Sequence, residues 1–216
     1  MNNDRVTELY RGEFSSKENQ RICRERIDWM VEQIQGETVL DIGCSQGIAT
    51  ILAARAGRRA VGVDNEEPAI DFARQALSAE PAEVQERARF ELADMLVSDL
   101  GGARFDTVLL GEILEHHDDP RRLFARAARF VAPDGIIVVS TPFGYHPHDD
   151  HRTTFYLSSF ARTIDGLCAP VEIAVVDGYI RFVGRAAGAE GSDPLDLGPE
   201  ALLARSEEAF LDKERS

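Results

Sequence analysis

All five histidines of this 216-residue chain stand in two short segments. His116 and His117 close the run GEILEHH (Gly111 to His117), and His146, His148 and His151 fall within Thr141 to His151. An imidazole titrates near neutrality, so a histidine beside an acceptor hydroxyl can remove its proton. His116 and His146 are the candidates for that base, with Glu112 beside them as a further catalytic candidate. A second chemistry fits the same residues. Glu112, Glu115 and His116 stand at i, i+3 and i+4, which one helical turn would present on a single face. With His151 they would form a mixed nitrogen and oxygen site for a divalent ion such as manganese, iron, zinc or magnesium. His117 precedes Asp118-Asp119-Pro120, a helix-capping turn, and reads as a surface residue. Both chemistries stay open at this point.

Acidic residues and glycines elsewhere mark where a ligand would sit. Asp41-Ile42-Gly43-Cys44-Ser45-Gln46-Gly47 follows a short apolar run, with Gly43 suited to close backbone approach and Gly47 to a helix starting tight against a strand. The loop lacks a full GxGxxG, which counts against a dinucleotide with a pyrophosphate to cradle. Asp64 follows about 20 residues after Gly43, the spacing at which a carboxylate accepts hydrogen bonds from ribose hydroxyls. Asp94 ends a third apolar segment, where an adenine amino group would be received.

Alternating elements must position these groups. The pattern predicts strands at 38–42, 60–64, 89–94, 105–110 and 136–140, the last after a Pro133-Asp134-Gly135 turn. Helices are predicted at 15–35, 48–56, 68–79, 120–131 and 157–164. Strands at 171–176 and 179–184, joined by Asp177-Gly178, form a closing hairpin that adds an antiparallel strand near one edge. Strand and helix alternation means a mostly parallel sheet covered on both faces. Tyr10, Arg11 and Phe14 precede the first of these helices and are candidates for a lid. From about residue 186 the composition turns to Gly, Asp, Glu and Pro, followed by an amphipathic stretch at 200–211.

A net charge of −14 argues against a broad grip on nucleic acid. Arg121, Arg122, Arg126 and Arg129 make a small local patch, read as a solvated helix face. Cys23, Cys44 and Cys168 show no CxxC spacing, so neither a disulfide framework nor a cysteine-based zinc site is expected. Without a bilayer-length apolar run or a secretory layout at the N-terminus, the expected location is cytoplasmic, away from membranes.

Over most of residues 20–185 the sequence resembles the class I S-adenosylmethionine-dependent methyltransferases. VLDIGCSQG is similar to their first motif, AVGVDNEEPAI to the second, FELADM to the third and FDTVLLGEILEHHDDPRRLF to the fourth; the Pro-Asp-Gly before IIVVSTPFG matches their fifth-strand pattern. The resemblance implies an α/β Rossmann-like three-layer sandwich with a seven-stranded sheet. It also implies a domain at 1–187 with an N-terminal helical lid, and an acidic tail at 188–216. For the cofactor, it implies Asp41, Gly43, Cys44 and Gly47 at the methionine loop. Asp64 and Asn65 would lie at the ribose, Asp94 and Met95 around the adenine, and Gly111 and Glu112 at the methionine end. The ExxEH run with a later Asp-His also resembles metal-dependent small-RNA 3′-terminal ribose methyltransferases. The chain departs from them at Arg152-Thr153-Thr154-Phe155-Tyr156, where they carry an aromatic and acidic run. Three roles are compatible with the resemblance. One is O-methylation of a small-molecule or glycan-type acceptor, as in natural-product pathways; one is ribose methylation of RNA, which the acidity disfavours; one is a non-catalytic cofactor-binding subunit. A homodimer is compatible with each.

Overall fold

The computed structural model describes residues 5–186 together with Leu197, Gly198, Ala201, Arg205 and Ser206. Among these, seven strands form one sheet: β1 (Thr38–Ile42), β2 (Arg59–Asp64), β3 (Ala88–Leu92), β4 (Phe105–Gly111), β5 (Val131–Pro142), β6 (Cys168–Val176) and β7 (Tyr179–Ala186). Their order is β3-β2-β1-β4-β5-β7-β6. All neighbours from β3 to β5 pair in parallel, and β7 runs antiparallel to both β5 and β6. Asp177 and Gly178 both have positive φ, 51° and 78°, the backbone of a two-residue turn whose twist matches the flanking strands.

Strand side chains alternate between two covered faces. Leu40, Ile42, Val61 and Val63 pack with Leu123, Phe124, Phe160 and Phe182 beneath α6 (Pro120–Ala128) and α7 (Leu157–Ile164). Val39, Leu109, Val138 and Val183 meet Met30 of α2 (Lys17–Glu32) on the opposite face. α3 (Ile48–Arg55) and α4 (Glu67–Ser78) close the β2 and β3 end around Ile51, Ile70 and Phe90. Ser16 caps α2 by accepting from the Asn19 N–H, and Asp119 caps α6 through the Arg122 N–H. No helix among the described residues is long and apolar enough to cross a membrane.

Several expected boundaries move for local reasons. Pro133-Asp134-Gly135 is not a turn before β5 but part of it, at a register shift against Phe105 and Thr107. Gly135 is needed there, since a Cβ would lie 2.8 Å from the Asp106 carbonyl. The helix expected to reach residue 131 stops at Ala128, and the chain turns through Arg129 and Phe130 directly into β5. β3 ends at Leu92 rather than Asp94, because the Asp94 carboxylate accepts from the Leu96 N–H and bends the chain. Two helices were not foreseen: α1 (Val6–Arg11) and the single turn α5 (Ala82–Gln85). The arginines of α6 are not all solvated. Arg121 donates to the carbonyls of Arg162, Thr163 and Asp165, closing the C-terminal end of α7.

Most of the tail expected at 188–216, with its helix at 200–211, lies outside the described residues. Of those described, Leu197 packs against the larger core and Arg205 donates to the Ile173 carbonyl at 2.8 Å.

Gly47 and Gly57 separate two costs of adding a side chain at positive φ. At Gly47 (φ 79°) a Cβ would fall 2.5 Å from the Phe90 ring and 2.8 Å from the Ala73 Cβ, whereas at Gly57 (φ 84°) it would meet nothing within 4 Å. Gly57→Ala therefore costs about 1 kcal/mol of backbone strain, and Gly47→Ala about 2–4 kcal/mol from strain plus overpacking. Urea unfolding midpoints of the two variants check the difference.

Candidate functional site

β1 is flanked by β2 on one side and β4 on the other, so the connections diverge at its C-terminal end and leave a crevice. A cavity of about 970 Å³ opens there, lined from the ends of β1 to β4, the N-terminal segment, the histidine loop and the β6–β7 turn.

The loop after β1 is bent onto β2. Gly43 (φ 70°) and Cys44 both donate to the Val63 carbonyl, at 2.8 and 3.1 Å. Ser45, also at positive φ, donates its N–H to Asp64 Oδ2 at 2.8 Å, and the Glu66 N–H reaches Oδ1 at 2.9 Å. Asp64 thus ties two loops together, and each carboxylate oxygen keeps a second lone pair at the cavity wall. Asp41 is buried and accepts from Thr50 Oγ at 2.7 Å. Burial, aided by nearby Asp64, pushes its carboxyl up to about 6.

Asp41, Gly43, Cys44, Asp64, Asn65, Asp94, Met95, Gly111 and Glu112 all line this one cavity. Gly47 does not: it begins α3 and serves helix packing against Phe90. The N-terminal segment is docked rather than loose. Thr7 is fully buried, its N–H donating to Gln46 Oε1 at 2.9 Å and its hydroxyl to the Gln46 carbonyl at 3.1 Å. Phe14 lines the cavity with the Arg5 guanidinium 4.2 Å over its ring, while Tyr10 turns away to donate to Asp28.

At the other end of the cavity the two histidine segments meet. The Glu115 carbonyl accepts from the N–H groups of Arg152 (2.8 Å) and Thr153 (3.0 Å), and the Thr153 hydroxyl donates to the His117 carbonyl. Gly144 donates to the Phe155 carbonyl at 2.7 Å, closing the base of the second loop. The rings of His116, His148 and His151 lie 4.9 to 5.9 Å apart, and His146 stands 5.5 Å from His151. Burial first, then the neighbouring imidazoles, lower His151 from the ordinary histidine value. His117 is half-buried outside this cluster, and burial lowers it too.

The expected helical turn carrying Glu112, Glu115 and His116 on one face does not form. β4 ends at Gly111, Glu112 adopts φ 52°, and only a short 3-10 turn spans Leu114–His116. This separates the two glutamates. Glu112 is engaged by buried Arg26 of α2 at 2.5 Å, with Tyr179 beneath the guanidinium at 5.4 Å. Burial and the Glu112 carboxylate push the Tyr179 phenol up. Glu115 is 1% exposed; its Oε2 accepts from Thr141 Oγ at 3.0 Å and its buried Oε1 has no hydrogen-bond partner. Burial, then the Glu112 charge, raises its carboxyl to about 8. One ligand-capable atom each from Glu115, His116 and His151 falls within 4.8 Å of the others, and Glu112 is not in that group.

Arg26 and Tyr179 escaped the sequence reading. The signal for Arg26 was present: it sits at helical spacing among Cys23, Ile27 and Met30, a charge on the apolar face of α2. Tyr179 gave none, because a strand-initial tyrosine beside a hairpin turn is an ordinary residue there.

Comparison with known proteins agrees with this geometry. Residues 40–139 match the family model described as a methyltransferase domain. A ubiquinone biosynthesis O-methyltransferase of Paracidovorax citrulli is 34% identical over 119 residues, 54% of this chain and 49% of the relative. The chain spans about half the length of the curated relatives it matches. Among solved structures, magnesium protoporphyrin IX methyltransferase of Synechocystis PCC 6803 with bound SAH aligns with TM-score 0.66 at 16% identity, covering 85% of this chain and 94% of that one. The 1,6-didemethyltoxoflavin-N1-methyltransferase of Burkholderia thailandensis gives TM-score 0.63 at 22% identity, covering 84% of each chain.

Asp41 supplies a pH signature. Its carboxyl is raised above the ordinary 3.8 in the folded state, so the fold gains from the protonated form and loses that gain as pH rises through about 6. Asp41→Asn, which still accepts from Thr50, removes a decline of about 2–3 kcal/mol between pH 4 and pH 6.5. Urea titrations at several pH values read the slope.

Proposed function

We propose that this chain, whose residues 40–139 match a methyltransferase domain, is a class I S-adenosylmethionine-dependent methyltransferase that methylates a hydroxyl oxygen of a small-molecule or glycan-type acceptor. What carries the reading is the convergence of four strand ends on one cavity, with the Glu115, His116 and His151 donors at its far end. Bound in this cavity, S-adenosylmethionine supplies an electrophilic methyl on a sulfonium. Asp64 and Asn65 hold its ribose, Asp94 and Met95 frame its adenine, and Asp41, Gly43, Cys44, Gly111 and Glu112 surround its methionine end. The Arg26 guanidinium keeps the Glu112 carboxylate in place, so Glu112 orients rather than accepts the acceptor's proton.

A divalent ion fits the other end. Buried Glu115, with one carboxylate oxygen unpaired, beside His116 and His151 is an arrangement that a cation completes, since an unpaired buried carboxylate oxygen is otherwise costly. The ion would be manganese, iron, zinc or magnesium, and its charge would lower the pKa of an acceptor hydroxyl. His146, which lines the cavity beside His151, receives the hydroxyl proton, and His116 takes that part where no ion is present. Tyr179 closes the wall behind the acceptor.

S-adenosylhomocysteine raises the melting temperature, by an amount equivalent to about 2.7 kcal/mol at one hundred times its Kd. EDTA dialysis lowers turnover, manganese restores it, and His151→Ala abolishes the restoration while leaving S-adenosylhomocysteine binding intact. Absence of any shift with S-adenosylhomocysteine overturns the reading as a whole. EDTA-insensitive turnover removes the ion and leaves the histidine base, which His116→Ala then tests.

A further inference from the structure

The segment that follows β3 has an unusual problem. β3 is the edge of the sheet, so the chain leaving it has no outer strand to lie against. Yet Ala93, Asp94, Met95 and Leu96 of that segment line the cavity. The segment folds into a turn around Asp94, whose carboxylate accepts from the Leu96 N–H at 2.8 Å and whose carbonyl accepts from Val97 (3.1 Å) and Ser98 (2.8 Å). Those bonds satisfy N–H groups and leave carbonyls of the same turn for another element.

One side chain takes them. Arg126 Nε donates to the Met95 carbonyl at 3.3 Å, and its Nη2 donates to Ser98 at 2.5 Å and, more weakly, to Val97 at 3.4 Å. The guanidinium lies 5.5 Å over the ring of Phe130, which is buried in the larger core. One turn earlier on α6, Leu123 lines the cavity itself. Arg126 does not touch the cavity. It braces the loop from behind, from a helix anchored in the core.

We propose that Arg126 is a positioning residue for the adenine of the cofactor: through three carbonyls it fixes the turn that presents Asp94 and Met95. This rests on the reading of those two residues as the adenine wall. The fixed fork of a guanidinium suits the task, since several donors on one plane reach three acceptors at once. A lysine in the same place offers a point charge on a mobile stem and cannot hold three carbonyls in register.

The test compares S-adenosylhomocysteine with S-inosylhomocysteine, in which an oxo group replaces the adenine amino group. Calorimetric Kd values for both are measured on the wild type and on Arg126→Ala, Arg126→Lys and Asp94→Asn. A carboxylate facing an amino donor favours the adenine compound, and an oxo group in its place is disfavoured. Arg126→Ala and Arg126→Lys each weaken S-adenosylhomocysteine about tenfold or more and narrow its preference over the inosine compound, as Asp94→Asn does. Arg126→Lys, which keeps the charge and the stem, serves if the alanine variant does not fold. Equal weakening of both compounds at unchanged ratio means a merely structural role and overturns the proposal. So does an unchanged ratio in the arginine variants when Asp94→Asn loses it, and there the adenine reading survives. A ratio unchanged by Asp94→Asn overturns the adenine reading and the proposal with it.

Discussion

Parallel pairing of β1 with β2 on one side and β4 on the other governs where everything else can be. The connection after β1 leaves toward β2, while the one after β4 leaves toward β5 on the other side, so the two diverge and open a crevice at the strand ends. Backbone N–H groups in that crevice need acceptors. Val63 and Asp64 provide them for Gly43, Cys44 and Ser45, which is why the first loop and the second strand behave as one unit. Once that unit is set, the turn around Asp94 and the bend at Gly111 fall on its rim.

Glu115 plays the corresponding part at the histidine end of the cavity. Its backbone carbonyl gathers the second histidine loop, its Oε2 rests on Thr141 of β5, and its Oε1 faces burial without a partner. A charged carboxylate in that environment is costly, and burial raises its pKa to about 8. Glu112, three residues earlier, meets the opposite fate. Buried Arg26 pairs with it, so two glutamates that look equivalent along the chain sit in unlike electrostatic surroundings.

The helices divide between covering the sheet and bracing the site. α2 buries Met30 on the sheet while turning Arg26 toward Glu112, and α6 buries Leu123 and Phe124 while Arg126 reaches back to the loop after β3. In both cases a guanidinium extends from a well-packed helix into a place where carbonyls or a carboxylate collect. Rigid packing of the helix limits how far the braced loop can drift.

Alternation of apolar runs with helical periodicity was enough to write down the sheet, its covered faces and the closing hairpin. These follow from hydrophobic spacing and from Asp177-Gly178, both local properties of the chain. Asp41, Gly43, Asp64 and Asp94 could be singled out for the same reason, since each stands at or just beyond the end of a strand whose neighbours are set by the fold class. The clustering of histidines in two segments was legible too. What only the tertiary structure decided was partnership. Spacing suggested that Glu112, Glu115 and His116 share a helical face, but the positive φ at Glu112 and the pull of Arg26 from another helix separate them. The α6 arginines looked like an ordinary solvated row, but Arg121 and Arg126 donate to carbonyls 28 to 44 positions away in the chain. Sequence periodicity reports which side of an element is buried. It carries no record of which buried charge meets which, because that depends on how separate elements pack.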